Sequence, residues 1–236
     1  MKNQSTRIRT APYTIRFSAL KTATALALST LVLSACSMPM HSTMADGEQG
    51  AMGGSQMSGM SAMSNNPFTA ANARMMQDMH NNPPSGDVDY DFVVGMIPHH
   101  QGAVDMSTIL LESGQADAEL AELANEIITA QSDEMAFMET WLRDNPEPQP
   151  DARAAEIIRA YQASMMTMMG GMHGERDADI NTRFVTGMIP HHQAAIEMAE
   201  VVLEYSDDTQ LRTMAQAVVR EQNREISEMR DWLSRQ

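Results

Sequence analysis

Two adjacent histidines follow a proline at Pro98–His99–His100 and again at Pro190–His191–His192, each time inside the heptapeptide GMIPHHQ. Imidazole ligates transition metals and titrates near neutral pH, so a repeated pair is a candidate for metal or proton chemistry. Thioether is the second conspicuous group. Seven methionines (Met38, Met40, Met44, Met52, Met57, Met60 and Met63) punctuate a Ser/Gly-rich stretch, with His41 among them. Two further clusters end in Met-His: MMQDMH, with Met75, Met76, Met79 and His80, and MMTMMGGMH, with Met165, Met166, Met168, Met169, Met172 and His173. Thioether sulfur is soft and neutral, which suits Cu(I) and its mimic Ag(I), and it binds without losing a proton. It also escapes the disulfide chemistry of an oxidising compartment. A single methionine is an ordinary core filler. The five in Met165–Met172 cannot all face one core, and packing gives no reason for seven in a tail. The alternative is a Met-rich adhesive surface for partner proteins.

The elements that must position these groups come from a duplication. FVVGMIPHHQGAVDM (Phe92–Met106) matches FVTGMIPHHQAAIEM (Phe184–Met198), and QSDEMAFMETWL (Gln131–Leu142) matches QNREISEMRDWL (Gln222–Leu233). Phe92, Met96, His99, Ala103, Met106 and Leu110 step by three and four, the spacing of one helical face, and Val93, Ile97, His100, Val104 and Leu111 form a neighbouring stripe. The partner helix carries Leu120, Ala124, Ile127, Gln131, Glu134, Met138 and Trp141 at the same steps. Each unit therefore reads as a Met-rich helical segment followed by a helical hairpin, turning at Ser113–Gln115 or Ser206–Asp208. The prolines of NPEPQP (Asn145–Pro150) separate the units. The expectation is an all-α fold: a four-helix bundle of ferritin-like type, built from two hairpins with one apolar face each. The first repeat spans 68–145 and the second 151–236, forming one bundle domain over 68–236, with 36–67 a disordered Met-rich tether.

The histidines fall on the apolar stripes, so they are expected inside. Counting from a turn at Gly114, His99 and Gln131 differ in height by only ~3 Å at ~1.5 Å per residue. Met96, His99, His100, Gln131, Glu134 and Met138 should gather near the open end of the hairpin, and Met188, His191, His192, Gln222, Glu225 and Met229 likewise. Buried polar groups need partners. A metal site supplies them; a satisfied polar layer that fixes bundle register is the alternative. Pro98 and Pro190 either kink their helices or start them. The Glu-x-x-His pair of a carboxylate di-iron bundle is missing from these helices.

Residues 1–35 read as a secretory leader: Lys2, Arg7, Arg9, Arg16 and Lys21 with no acid, then an apolar run from Ala19 to Leu33, short for a membrane span. It ends in L-S-A-C, and Cys36 is the chain's one cysteine, a lipobox-like arrangement that predicts cleavage before Cys36 and a lipid anchor on its sulfur. Ser37 in the following position favours the outer membrane, facing the periplasm. Loss of five cations shifts the formal charge from −15 to −20. So acidic a chain repels nucleic acid and attracts cations. With no second cysteine, disulfides and thiolate metal sites are out of reach.

The duplicated F-x-x-x-M-I-P-H-H-Q helix with its Q-x-x-E-x-x-x-M-x-x-W-L partner resembles the bacterial domain-of-unknown-function family 305, over roughly residues 70–236. The resemblance implies an exported, ferritin-like four-helix protein, and periplasmic copper and silver binding or resistance as in some members. Carried onto this chain it marks Met96, His99, His100 and Met106, then Met188, His191, His192 and Met198, with Glu134, Met138, Glu225 and Met229 opposite. The expected function is binding of Cu(I), or Cu(II) through imidazole and carboxylate, with Ag(I) as a second ion, for sequestration, trafficking or resistance. Copper-handling envelope proteins would be the partners. A metal oxidase using the His/Glu clusters and a metal-free envelope adaptor are the competing classes.

Overall fold

The computed structural model describes residues 66–171 and 178–236, which form six helices: α1 (Thr69–Asn81), α2 (Val88–Glu112), α3 (Ala118–Asp144), α4 (Ala154–Gly171), α5 (Ile180–Tyr205) and α6 (Thr209–Leu233). Among these residues there is no strand, as the periodicity predicts, and no helix long and apolar enough to cross a membrane. Cys36, the tail methionines, Met172 and His173 lie outside the described residues.

Four helices start the same way. Asp87, Asp117, Asp179 and Asp208 each accept from first-turn amides of α2, α3, α5 and α6, as where Gln210 N donates to Asp208 at 2.8 Å. Such a cap stabilises a helix by about 1 kcal/mol and adds negative charge at the positive end of its dipole. The two hairpins turn differently. Gly114, with φ of +66°, closes the first, whereas Ser206 leaves α5 in an extended conformation. Of the two readings of the prolines, the interior one holds: Pro98 and Pro190 lie well inside α2 and α5. Each ring removes the donor that would serve the carbonyl four residues earlier, at Val94 and Thr186.

Helix α2 pairs with α3, α5 pairs with α6, and the two histidine helices pack on each other at the centre. Helix α1 lies on α2 and α4 on α5. Tyr161 pins α4 to the first unit by donating its hydroxyl to the Val88 carbonyl at 2.8 Å. Glycines ease the close approach in the centre. A Cβ on Gly95 would lie 3.0 Å from Met198 Cε, and one on Gly187 would lie 3.2 Å from Met106 Cε. These two contacts exchange when each residue is replaced by its repeat counterpart, so α2 and α5 run antiparallel about a local pseudo-twofold axis.

The axis divides the interior into two apolar cores, each drawn from both repeats. Phe92, Met96 and Met138 pack with Met198, Val202, Leu211 and Met214 in one. Met106, Leu110, Leu120 and Ile127 pack with Phe184, Met188, Met229 and Trp232 in the other. Fully burying one such side chain contributes about 1.5–3 kcal/mol. Exposed ion pairs tie the outer helices, Arg224 to Glu126 at 3.2 Å and Arg235 to Glu119 at 2.6 Å, each worth at most about 1 kcal/mol.

Candidate metal centre

Between the two cores lies a polar layer. His99, His100, His191, His192, Gln131, Gln222, Glu134 and Glu225 are all buried, as their stripe positions predict. The level-matching within each hairpin also holds. His100 Nε2 meets Glu134 Oε2 at 2.8 Å, and His192 Nε2 meets Glu225 Oε2 at 2.6 Å. What the spacing left open was whether the units keep separate clusters. They meet: the His99 and His191 rings stack obliquely, with centroids 3.8 Å apart and planes at 45°. This contact sits on the pseudo-twofold axis, because His99 and His191 are each other's counterparts.

The hydrogen bonds fix which ring nitrogens are bare. His191 Nε2 lies 3.1 Å from the carbonyl oxygen of His99. A carbonyl only accepts, so Nε2 carries the proton and Nδ1 of the neutral ring carries a lone pair. Burial, reinforced by the surrounding imidazoles, pushes His99 and His191 well below the ordinary imidazole range, so both rings are neutral at pH 7. His100 and His192 each direct Nε2 to a carboxylate. Within the protein Nδ1 of all four rings, Nε2 of His99, both amide atoms of Gln131 and Oε1 of Gln222 have no hydrogen-bond partner. Each buried group left unpaired costs about 1–3 kcal/mol. A layer this rich in unanswered donors and acceptors is unfavourable as a structural spacer and well suited to a ligand.

Glutamate–histidine pairs whose second ring nitrogen is bare are the arrangement that orients imidazole toward a metal, with the carboxylate acting behind the ring. Among the described residues no three His, Asp, Glu or Cys side chains converge on one point as a metal site. A ligand set here must therefore include groups outside that list, and thioethers are at hand. Met96, Met138 and Met198 lie on one side of the layer, and Met106, Met188 and Met229 on the other. Spacing within a hairpin placed Met106 with the first unit and Met198 with the second. Antiparallel crossing of α2 and α5 sets each in the core beside the other unit's Met96 or Met188.

The upstream methionines divide by face. Met75 and Met79 of α1 are buried, Met76 is half-buried, and His80 is exposed. In α4, Met168 is buried and Met165 half-buried, while Met166 and Met169 are 74% and 53% exposed, the large apolar side chains most open to water among the described residues. Two features escaped the sequence reading. One is the role of the glycines: Gly102 admits Met75, whose Sδ would lie 2.5 Å from a Cβ there. The other is a pair of cavities beneath α1 and α4. One, about 20 Å³, is walled by Met106, Met168 and His191 among others; one of about 260 Å³ is walled by Met79, Met165, Met198 and Asp91 among others.

No curated protein matches the chain. Two solved structures resemble it: CopM in the Ag-bound form, at 28% identity, and CopM in the Cu(I)-bound form, at 27%. Each match covers 62% of this chain and 96% of that one, with a TM-score of 0.48, a superposition too loose to assign any of this chain's residues a role. The family profile is more extensive: from Asp89 to Ser234, spanning both hairpins and the whole histidine layer, this chain belongs to the family described as Domain of unknown function (DUF305).

Proposed function

We propose that the protein binds Cu(I), and Ag(I) with it, as cargo for sequestration, trafficking or resistance in the bacterial envelope. The observation that carries this reading is the buried layer of four histidines with bare ring nitrogens, set between two methionine-rich cores. Neutral imidazole and thioether are ligands for a soft ion of low charge, and neither needs to lose a proton to bind it. Glu134 and Glu225 hold His100 and His192 in orientation rather than competing for the ion. Met166 and Met169 provide wet sites for capture, and the tail methionines and the Met-His pairs add further soft ligands for it. A lipid on Cys36 tethers the protein to the membrane, with the bundle facing the periplasm and copper-handling envelope proteins as donors or acceptors.

The test is an anaerobic Cu(I) competition titration on residues 37–236, beside a form beginning at Asn65. Retention of ions by both forms against a modest chelator, with fewer in the shorter one, supports bundle and tail sites together. Release of all copper to the chelator by both forms sinks the reading and leaves the layer as a register device in a metal-free adaptor. No observation favours a metal oxidase: both carboxylates of the histidine layer are engaged by imidazoles.

A further inference from the structure

The duplication suggests two equivalent ion sites, yet the surroundings of the two histidine helices differ. We propose that Met106, Met168 and His191 Nδ1 form a single three-coordinate site for one soft monovalent ion, with no counterpart in the first repeat. It rests on the copper/silver reading above and specifies where the tightest ion sits.

Four observations converge on it. The cavity these residues help to wall is about 20 Å³, room for one water-sized sphere. The His99 carbonyl fixes the His191 tautomer, which leaves the Nδ1 lone pair buried without a protein partner. Both sulfurs are buried and come from different helices, α2 and α4, so the site exists only when α4 is docked on the bundle. Gly187 contributes to the same wall, and a Cβ there would press on the Met106 methyl at 3.2 Å.

Ion class follows from what the wall lacks. None of its residues is a carboxylate, and Arg183 is among them, with its Nε donating to the Ala178 carbonyl at 2.7 Å. A divalent ion would gain no anionic ligand there; a soft ion of single charge loses least in such a setting. At the position related by the pseudo-twofold, Gly95 and Met198 face a cavity of about 260 Å³ that no histidine lines. That space is too large to hold one ion against three fixed ligands.

Titration of residues 37–236 with Cu(I) under competition, with X-ray absorption spectra of the one-equivalent samples, decides the matter. Met106→Leu and Met168→Leu keep volume and burial, so both should fold, as circular dichroism would verify. Each should weaken the tightest equivalent by more than about tenfold, since loss of even an outer-sphere partner costs 10–100-fold. Met214→Leu, at a buried core position outside the wall of this cavity, should leave it unchanged. The wild-type spectrum should show two sulfurs and one nitrogen, and the Met168→Leu spectrum should lose a sulfur. An unaltered tight equivalent in Met168→Leu, or an equal loss in Met214→Leu, overturns this site while leaving the copper reading intact. Failure of the wild type to hold any ion overturns both.

Discussion

The two GMIPHHQ helices share sequence and fold but not environment. His191 Nε2 lies 3.1 Å from the His99 carbonyl, whereas the ring of His99, its counterpart, interacts with the His191 backbone without so well-formed a hydrogen bond. The pair sits on the local axis, where the two rings stack with centroids 3.8 Å apart. Away from the axis, substitutions finish the divergence. Gly102 admits Met75 of α1, whereas a buried alanine, Ala194, stands at the equivalent place. Asp89 and Asn181, also equivalent, meet the opposite unit's turn with different success. Asn181 bonds Gln115 and Asp117 at 3.0 and 2.9 Å, while Asp89 is held above the usual carboxylate range by burial and by Asp208, Asp87 and Asp207. Duplication thus copies side chains, and surroundings decide what each copy meets.

Substitutions at equivalent positions separate shared architecture from acquired difference. The largest effect is expected for Phe92→Ala and Phe184→Ala, each fully buried in a different core, at about 3–5 kcal/mol in denaturant unfolding. Phe184 also meets Phe68, with ring centroids at 6.2 Å, so its loss should cost about 0.5–1.5 kcal/mol more. Equal costs would show that this pair adds nothing. Glu134→Ala and Glu225→Ala each strand a buried imidazole and should destabilise the metal-free protein by about 1–3 kcal/mol. Glu225 is the more deeply buried, 3% exposed against 8%, and makes the shorter bond, so its removal should cost more. Gly102→Ala gains helix propensity but forces a Cβ onto Met75, for a net loss of about 1 kcal/mol that Met75→Ala in the same chain should relieve. Additive single and double mutants would refute that contact. The smallest effect is a gain: Asp89→Asn imports the second repeat's residue and should stabilise by about 0.5 kcal/mol at pH 7 after solvent screening. A raised carboxyl pKa costs stability fully above the folded value. The advantage of the variant should therefore shrink as pH falls through that value toward 3.8 and vanish below it.

Much of this was legible from residue spacing. Stripe positions put all four histidines inside, level-matching gathered His100 and Glu134 in one cluster, and the proline-rich linker and both turns fell where expected. Local periodicity reports which face of a helix is buried, not which helix covers it. The crossing of α2 and α5 was thus invisible, and with it the meeting of the two histidine pairs and the exchange of Met106 and Met198 between units. The full extent of α4 was missed for another reason. Its core stripe, Ile157, Tyr161 and Met168, begins well before the methionine cluster that drew notice. The glycines of the heptapeptide were in plain view, but a missing side chain signals only when its neighbour is known.

The exchange of contacts across the local axis has a bearing on how such a chain could arise. An interface in which residue i meets j while the copy of j meets the copy of i is isologous, the geometry of a symmetric homodimer. One unit on its own would leave half of each core facing water, on a surface whose natural complement is another molecule of the same kind. The linker at Asn145–Pro150 then joins what two chains could have formed by self-association. Joining turns a concentration-dependent encounter into an intramolecular one, and it frees each half to drift from the other.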